Sequence, residues 1–204
     1  MDELTFMHLD NSDEEYRQQA VRLFINGFRH VFSFAKEDSE LEALFSEAFD
    51  YSMIYVCLYH NKVVGVLALG TNKKRVFRFN LEKCRHIFGQ QKGAMLYRML
   101  RSMGETPAVM NDNELYIDYL TTDETLRGKG IASALLEFAC RLPGYDECHL
   151  EVLSKNVTAK SLYDKVGFAV YKKSFNFFTV IQGLGYPIKM KKRSTHRISP
   201  AVSG

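Results

Sequence analysis

No apolar run in this chain approaches the roughly 18 residues that a membrane span requires. The N-terminus, Met-Asp-Glu-Leu, is acidic where a secretory signal would be basic. Both absences point to a cytoplasmic protein with no membrane partner. Cysteine is scarce: Cys57, Cys84, Cys140 and Cys148 are the whole set, and no C-x-x-C pair occurs among them. They read as reduced thiols in or near a core, not as a disulfide framework. His8, His30, His60, His86, His149 and His196 fall at no metal spacing with cysteines or carboxylates, so no metal is expected. His149 shares a strand face with Glu151 and is expected at the surface. Charge of one sign is not in excess either, with 27 Lys and Arg against 24 Asp and Glu. A net charge of +3 argues against a dedicated nucleic-acid binder, and the run from Lys189 to Arg197 reads as a solvated strand end and tail. Ser133 and Ser154 have no evident His and Asp partners, which makes a hydrolase reading poor.

What is present is ordinary globular composition, 46% apolar and 25% charged. At 204 residues, with no internal repeat or low-complexity linker, one core of useful size can form. Residues 1–192 are expected to be a single domain, and residues 193–204 a polar tail. Leu4 to Leu9 suits a first strand. Ser12 to Glu15 matches the S-x-x-E capping box and predicts a helix with Val21, Phe24, Phe28 and Val31 on one stripe. Leu41, Leu44, Phe45 and Ala48 recur at i, i+3, i+4 and i+7 in a second helix. Met53 to Tyr59 and Lys62 to Leu69 are β-rich runs joined by His60-Asn61, a hairpin. Residues 72–113 are too many for a structureless loop. Leu96, Met99, Leu100 and Met103 predict an amphipathic helix there, its methionines in the core, ended by Gly104 to Pro107. The basic cluster Lys73, Lys74, Arg75 and Arg78 reads as a solvated face. Strands are expected at Cys148 to Leu153, Phe168 to Thr179 and Tyr186 to Lys192. The fold class is α+β, three-layered: a mixed, largely antiparallel twisted sheet flanked by helices on both faces.

The stretch from Leu115 to Phe168 carries the chemistry. Ile117, Tyr119 and Leu120 give a β-rich run, and a polar loop from Thr121 to Leu126 leads to Arg127-Gly-Lys-Gly130. Ile131, Leu135, Phe138 and Leu142 then mark one helical face. Glycines before a helix N-terminus let backbone N–H groups approach an anion, and the helix dipole adds partial positive charge there. The loop therefore suits phosphate. It is not a Walker P-loop, because Lys129-Gly130-Ile131 breaks that order. It is not a Rossmann fingerprint, because Ala132 and Ser133 follow Gly130 where a third glycine is required.

The spacing Arg127-x-x-Gly130-x-Ala132 instead resembles the pyrophosphate loop Q/R-x-x-G-x-G/A of the GNAT superfamily of N-acetyltransferases. Downstream, Asn156-x-x-Ala159-x-x-Leu162-Tyr163-x-Lys165-x-Gly167-Phe168 resembles that family's second signature. The resemblance covers roughly Glu114 to Lys192. It implies a GNAT-like sheet and acetyl-coenzyme A as co-substrate. The pyrophosphate would rest on the N–H groups of Arg127, Gly128, Lys129, Gly130, Ile131, Ala132 and Ser133. The pantetheine arm would bond to the backbone of Leu120, Thr121 and Thr122, in a gap between the strands ending near Thr122 and Leu153. The basic cluster could reach the 3′-phosphate or an acidic acceptor, and Phe28, Phe32 and Phe34 could line the acceptor cleft.

The implied reaction is attack of an amine on a thioester. The amine needs a base, the oxyanion needs donors, and the leaving thiolate needs a proton. Tyr163 stands at the family's usual general-acid position; a buried tyrosine with a satisfied hydroxyl is the alternative. Asn156 caps its helix, or holds pantetheine or a water, or both. Glu151 is one base candidate, because Leu150-Glu-Val152 followed by Asn156 and Leu162-Tyr163 resembles the ribosomal-protein alanine N-acetyltransferases. Glu114, thirteen residues before Arg127, resembles the base of the histone acetyltransferases, and Asp118 lies on the same strand. The acceptor is a small-molecule or peptide amine, with protein N-termini and lysines among the alternatives. A regulatory module that binds acyl-coenzyme A without catalysis is the other class. A homodimer stays open.

Overall fold

The computed structural model describes residues 4–10, 12–175, 179–180 and 183–194. The expected tail beyond Ser194 and His196 lie outside the described residues, as does part of the strand expected to reach Thr179. Seven strands form one sheet in the order β1-β2-β3-β4-β5-β7-β6. They are β1 (Thr5–His8), β2 (Ile54–Tyr59), β3 (Lys62–Gly70), β4 (Glu114–Thr122), β5 (Glu147–Leu153), β6 (Ala169–Lys173) and β7 (Pro187–Arg193). Every pairing is antiparallel except β4 with β5. The β2–β3 turn is made by His60 and Asn61 at φ 48° and 58°, the left-handed pair that a two-residue hairpin requires.

Two apolar clusters cover the two faces of the sheet. On one face α1 (Glu14–Phe28), α2 (Asp38–Ala48), α3 (Leu81–Phe88) and α4 (Gln90–Gly104) surround Phe24, Phe45 and Phe77. On the other, α5 (Ile131–Ala139) and α6 (Val157–Val166) cover Leu67, Leu115, Ile117 and Leu150. Each face has a point where helix and sheet come close at a glycine. A Cβ on Gly27 of α1 would lie 2.1 Å from Thr121 Oγ1, and one on Gly65 of β3 would lie 2.7 Å from Leu135 Cδ1. The two glycines thus let α1 and α5 settle on the central strands from opposite sides. Among the described residues no helix is long and apolar enough to cross a membrane.

Local expectations fail at six places. His149, expected at the surface, is buried on β5, its side chain 8% exposed. Ser12 does not cap α1. Its hydroxyl donates to the Leu9 carbonyl, and the helix starts after Asp13, which puts Glu15 at the second helical position instead of the third. A capping box does form one helix later. Glu40 accepts from the Glu37 N–H, and the Glu37 side chain returns the bond. Val31 falls in a 3-10 turn after α1 and is 48% exposed. On α4 the inward face is Gly93, Leu96, Leu100 and Gly104, because Gly93 lies against the Cys84 carbonyl of α3. Met99 and Met103 are therefore 41% and 67% exposed and do not pack in the core. β6 ends at Lys173, where Ser174 N–H bonds to the Pro187 carbonyl. Arg75 is not solvated: it is buried against Asp118.

Candidate active site

β4 and β5 pair only from Glu114 opposite Glu147 to Ile117 opposite Leu150. Beyond that point β4 continues with β3 as far as Thr122, and β5 continues with β7 as far as Leu153. The two strands part, and a wedge-shaped gap opens toward their C-terminal ends. The cause is a β-bulge in β4: Ala68 faces Tyr119 and Leu69 faces Ile117, which leaves Asp118 as the extra residue. Leu115 and Ile117 pack toward α5, and after the bulge Leu120 does so while Tyr119 turns to the other face. Among the described residues no strand pairs with the β5 side of β4 from Asp118 to Thr122. This edge, which includes Leu120, Thr121 and Thr122, can accept an extended ligand as an added strand.

Asp118 is fixed by Arg75. The Arg75 Nε lies 2.9 and 2.7 Å from the two carboxylate oxygens, a further bond runs from its Nη2, and its guanidinium sits 5.2 Å from the Tyr116 ring centre. Side-chain exposure is 9% for Arg75 and 1% for Asp118. Burial is the largest influence on Asp118 and pushes its carboxyl up, against the pull of Arg75. A carboxylate this enclosed is a structural anchor for the bulge. Sequence gives no sign of the pair, because its members are 43 residues apart.

At the open end of the gap, Asp123 Oδ1 accepts from the Thr125 N–H and hydroxyl and sets up the turn Glu124–Leu126. Gly128 and Gly130 follow at φ 78° and 82°, and an added Cβ at either would meet nothing within 4 Å. Open space over two left-handed glycines is what a phosphate-binding loop presents. The first α5 bond is from the Ala134 N–H to the Gly130 carbonyl, so helix geometry leaves Ile131, Ala132 and Ser133 as free N–H donors at the positive end of the dipole. Arg127 pairs with Glu124, and the Lys129 N–H returns to the Leu126 carbonyl at 3.3 Å.

α6 borders the gap from the β5 side. Asn156 is its N-cap, with Oδ1 accepting from the Ala159 N–H at 3.1 Å. Gly167 closes the helix at φ 99°, its N–H bonded to the Tyr163 carbonyl. Tyr163 packs on the α5-side cluster with its ring 6.1 Å from that of Phe168, and burial pushes its hydroxyl up to about 12. The phenol therefore keeps its proton near neutral pH.

The carboxylates divide. Glu151 is exposed, one residue past the last β4–β5 pair, on the face of β5 opposite α5. Buried Tyr116 feels it: burial first and Glu151 second push that phenol up. Glu114 stands at the far end of β4. Its oxygens accept from the Met110 and Asn111 N–H groups and from Asn111 Nδ2, at 2.7–3.1 Å. Burial pushes Glu114 up, but these donors outweigh it and hold the carboxyl below the usual range. Phe32 is buried in the ring cluster with Phe24 and Phe45, and half-buried Phe28 and Phe34 pack against it.

The geometry is a mixed sheet parted at one parallel pair, with a glycine loop and a helix N-terminus at the mouth of the gap. The Acetyltransferase (GNAT) family matches residues 17–168, and the chain belongs to that family. No curated protein matches it. An N-acetyltransferase from Staphylococcus aureus Mu50 is similar at TM-score 0.62 and 17% identity, covering 92% of this chain and 100% of that one. A chain of the NatC complex, in a structure with Gag peptide and CoA, superposes at TM-score 0.57 and 18% identity over 94% and 98%. The ribosomal-protein-S18-alanine N-acetyltransferase from Escherichia coli gives 0.55 and 13% over 94% of each chain. At these identities the likeness speaks to the fold.

Proposed function

We propose that this acyltransferase moves an acetyl group from acetyl-coenzyme A to a primary amine by direct attack in a ternary complex. The observation that carries the reading is the gap after Ile117 and Leu150, with the glycine loop at its mouth. Pyrophosphate rests on the N–H groups of Gly128, Gly130, Ile131, Ala132 and Ser133, since those of Arg127 and Lys129 are bonded within the loop to Glu124 and Leu126, and pantetheine adds along Leu120 to Thr122. The amine nitrogen bonds to the thioester carbon, the C–S bond breaks, and the amine proton leaves to Glu151. Tyr163 returns a proton to the thiolate. The phenol arrives protonated, as a general acid must, and burial makes it a weaker acid than a free tyrosine, so the role rests on its place on α6 beside the gap. Glu151 is preferred over Glu114 because it is exposed beside the gap, whereas Glu114 is occupied by its loop. Asp118 is excluded as base by its ion pair.

The acceptor is a small-molecule or peptide amine. A screen of polyamines, aminoglycosides, free amino acids and peptides with free N-termini, read by thiol release from acetyl-coenzyme A, tests the reading. Turnover with one class and acetylated product by mass spectrometry is the expected result. Coenzyme A binding without transfer to any acceptor, from a correctly folded protein, would favour a regulatory module.

A further inference from the structure

At the closed end of the β4–β5 pair, Glu114 and Glu147 stand directly opposite each other. Like charges so placed repel unless a cation lies between them. Lys191 answers part of this, its Nζ 2.9 and 3.0 Å from the two Glu147 oxygens. His149 lies two residues along β5 on the same face, and its side chain is only 8% exposed. Its Nδ1 is 3.4 Å from the Tyr171 hydroxyl. Its Nε2 is 3.2 Å from Glu147 Oε2, yet off the geometry of a hydrogen bond, and has no hydrogen-bond partner among the described residues. One donor atom each from Glu114, Glu147 and His149 fall within 4.8 Å of one another. In the tautomer whose Nδ1–H donates to Tyr171, the Nε2 lone pair faces Glu147 and is the atom that would ligate a cation.

We propose that Glu114, Glu147 and His149 bind a divalent transition-metal ion of the zinc class. Bonds of about 2.0–2.2 Å place tetrahedral ligand atoms roughly 3.4 Å apart, so short side-chain rotations close the set, and water takes the fourth position. The imidazole nitrogen disfavours magnesium and calcium, which take oxygen ligands. Tyr171 orients the histidine from behind, and the Asn111 and Met110 N–H groups orient Glu114. Lys191 competes for Glu147 and must swing away when the ion binds. The ion ties β4 to β5 where they pair, at the end away from the gap, and takes no part in acetyl transfer.

The test uses tag-free protein stripped with chelator, titrated with Zn²⁺ by calorimetry and with Co²⁺ by visible absorption. One ion per chain is expected, with a Tm rise of roughly 5–10 °C at a metal concentration about 100 times Kd. His149→Ala and Glu147→Gln should weaken binding by more than about 100-fold, beyond the loss that outer-sphere changes cause. Their far-UV circular dichroism in chelator should match wild type. Lys191→Met should bind more tightly than wild type. The proposal is overturned by wild-type protein that binds neither ion. It is equally overturned by binding that survives His149→Ala, or that is lost in Cys140→Ser and so belongs to the thiols.

Discussion

Replacing Arg75 by methionine keeps most of the side chain's length and removes only its charge and donors. Asp118, 1% exposed, is then left as an uncompensated carboxylate inside the bulge that opens the sheet. Breaking a buried pair by removing one partner typically costs about 3–5 kcal/mol. The bond to the Thr106 carbonyl and the stacking on Tyr116 are lost as well. For a chain of this size each kcal/mol moves Tm by about 2–4 °C, so the variant should melt roughly 6–20 °C lower. Arg75→Met/Asp118→Leu removes both charges together and should regain most of that loss, because no buried charge remains. Thermal unfolding by circular dichroism, with a urea series to check the slope, measures all four corners of the cycle. A drop below about 3 °C for Arg75→Met, or a double variant equal to the sum of its singles, would refute the reasoning.

Three further outcomes follow from the site. Tyr163→Phe should lower turnover by about 10²–10⁴-fold with coenzyme A affinity nearly unchanged; wild-type turnover would return Tyr163 to packing alone. Glu151→Gln should depress turnover and remove the acidic limb of the rate–pH profile, and Glu114→Gln with the same acceptor should keep that limb; the reverse pattern would exchange their roles. Glu114 is held below the usual carboxylate range, so its contribution to stability is present above about pH 4.3 and is lost as pH falls through its folded value. Urea unfolding of Glu114→Gln should therefore show a shallower loss of stability below about pH 4 than wild type, and parallel curves would contradict this.

The readable parts of the chain were those set by local rules. The His60-Asn61 hairpin, the Gly128 and Gly130 loop and the Asn156 cap each depend on a few consecutive residues and their local backbone geometry. The spacing of Leu41, Leu44, Phe45 and Ala48 matched a buried helix face because helical period alone decides it. Other features depended on what lies across the fold. The α1 start moved one residue when Ser12 turned back to Leu9. α3 chose the inward face of α4 through Gly93, which left the methionines outside. Arg75 looked solvated because its partner sits 43 residues away on β4, and the Asp118 bulge leaves no compositional trace. Glu114, Glu147 and His149 escape any spacing rule for metals because strand register, not sequence distance, brings them together.

Calorimetric titration of wild type and Gly130→Glu with coenzyme A tests the central claim most directly. Gly130 sits at φ 82° with nothing within 4 Å of its missing Cβ, so a glutamate there fills the phosphate space with bulk and like charge. The account predicts one coenzyme A per wild-type chain and no detectable binding by a folded Gly130→Glu. Wild-type protein that binds no coenzyme A, or a variant that binds it as tightly, would contradict the account.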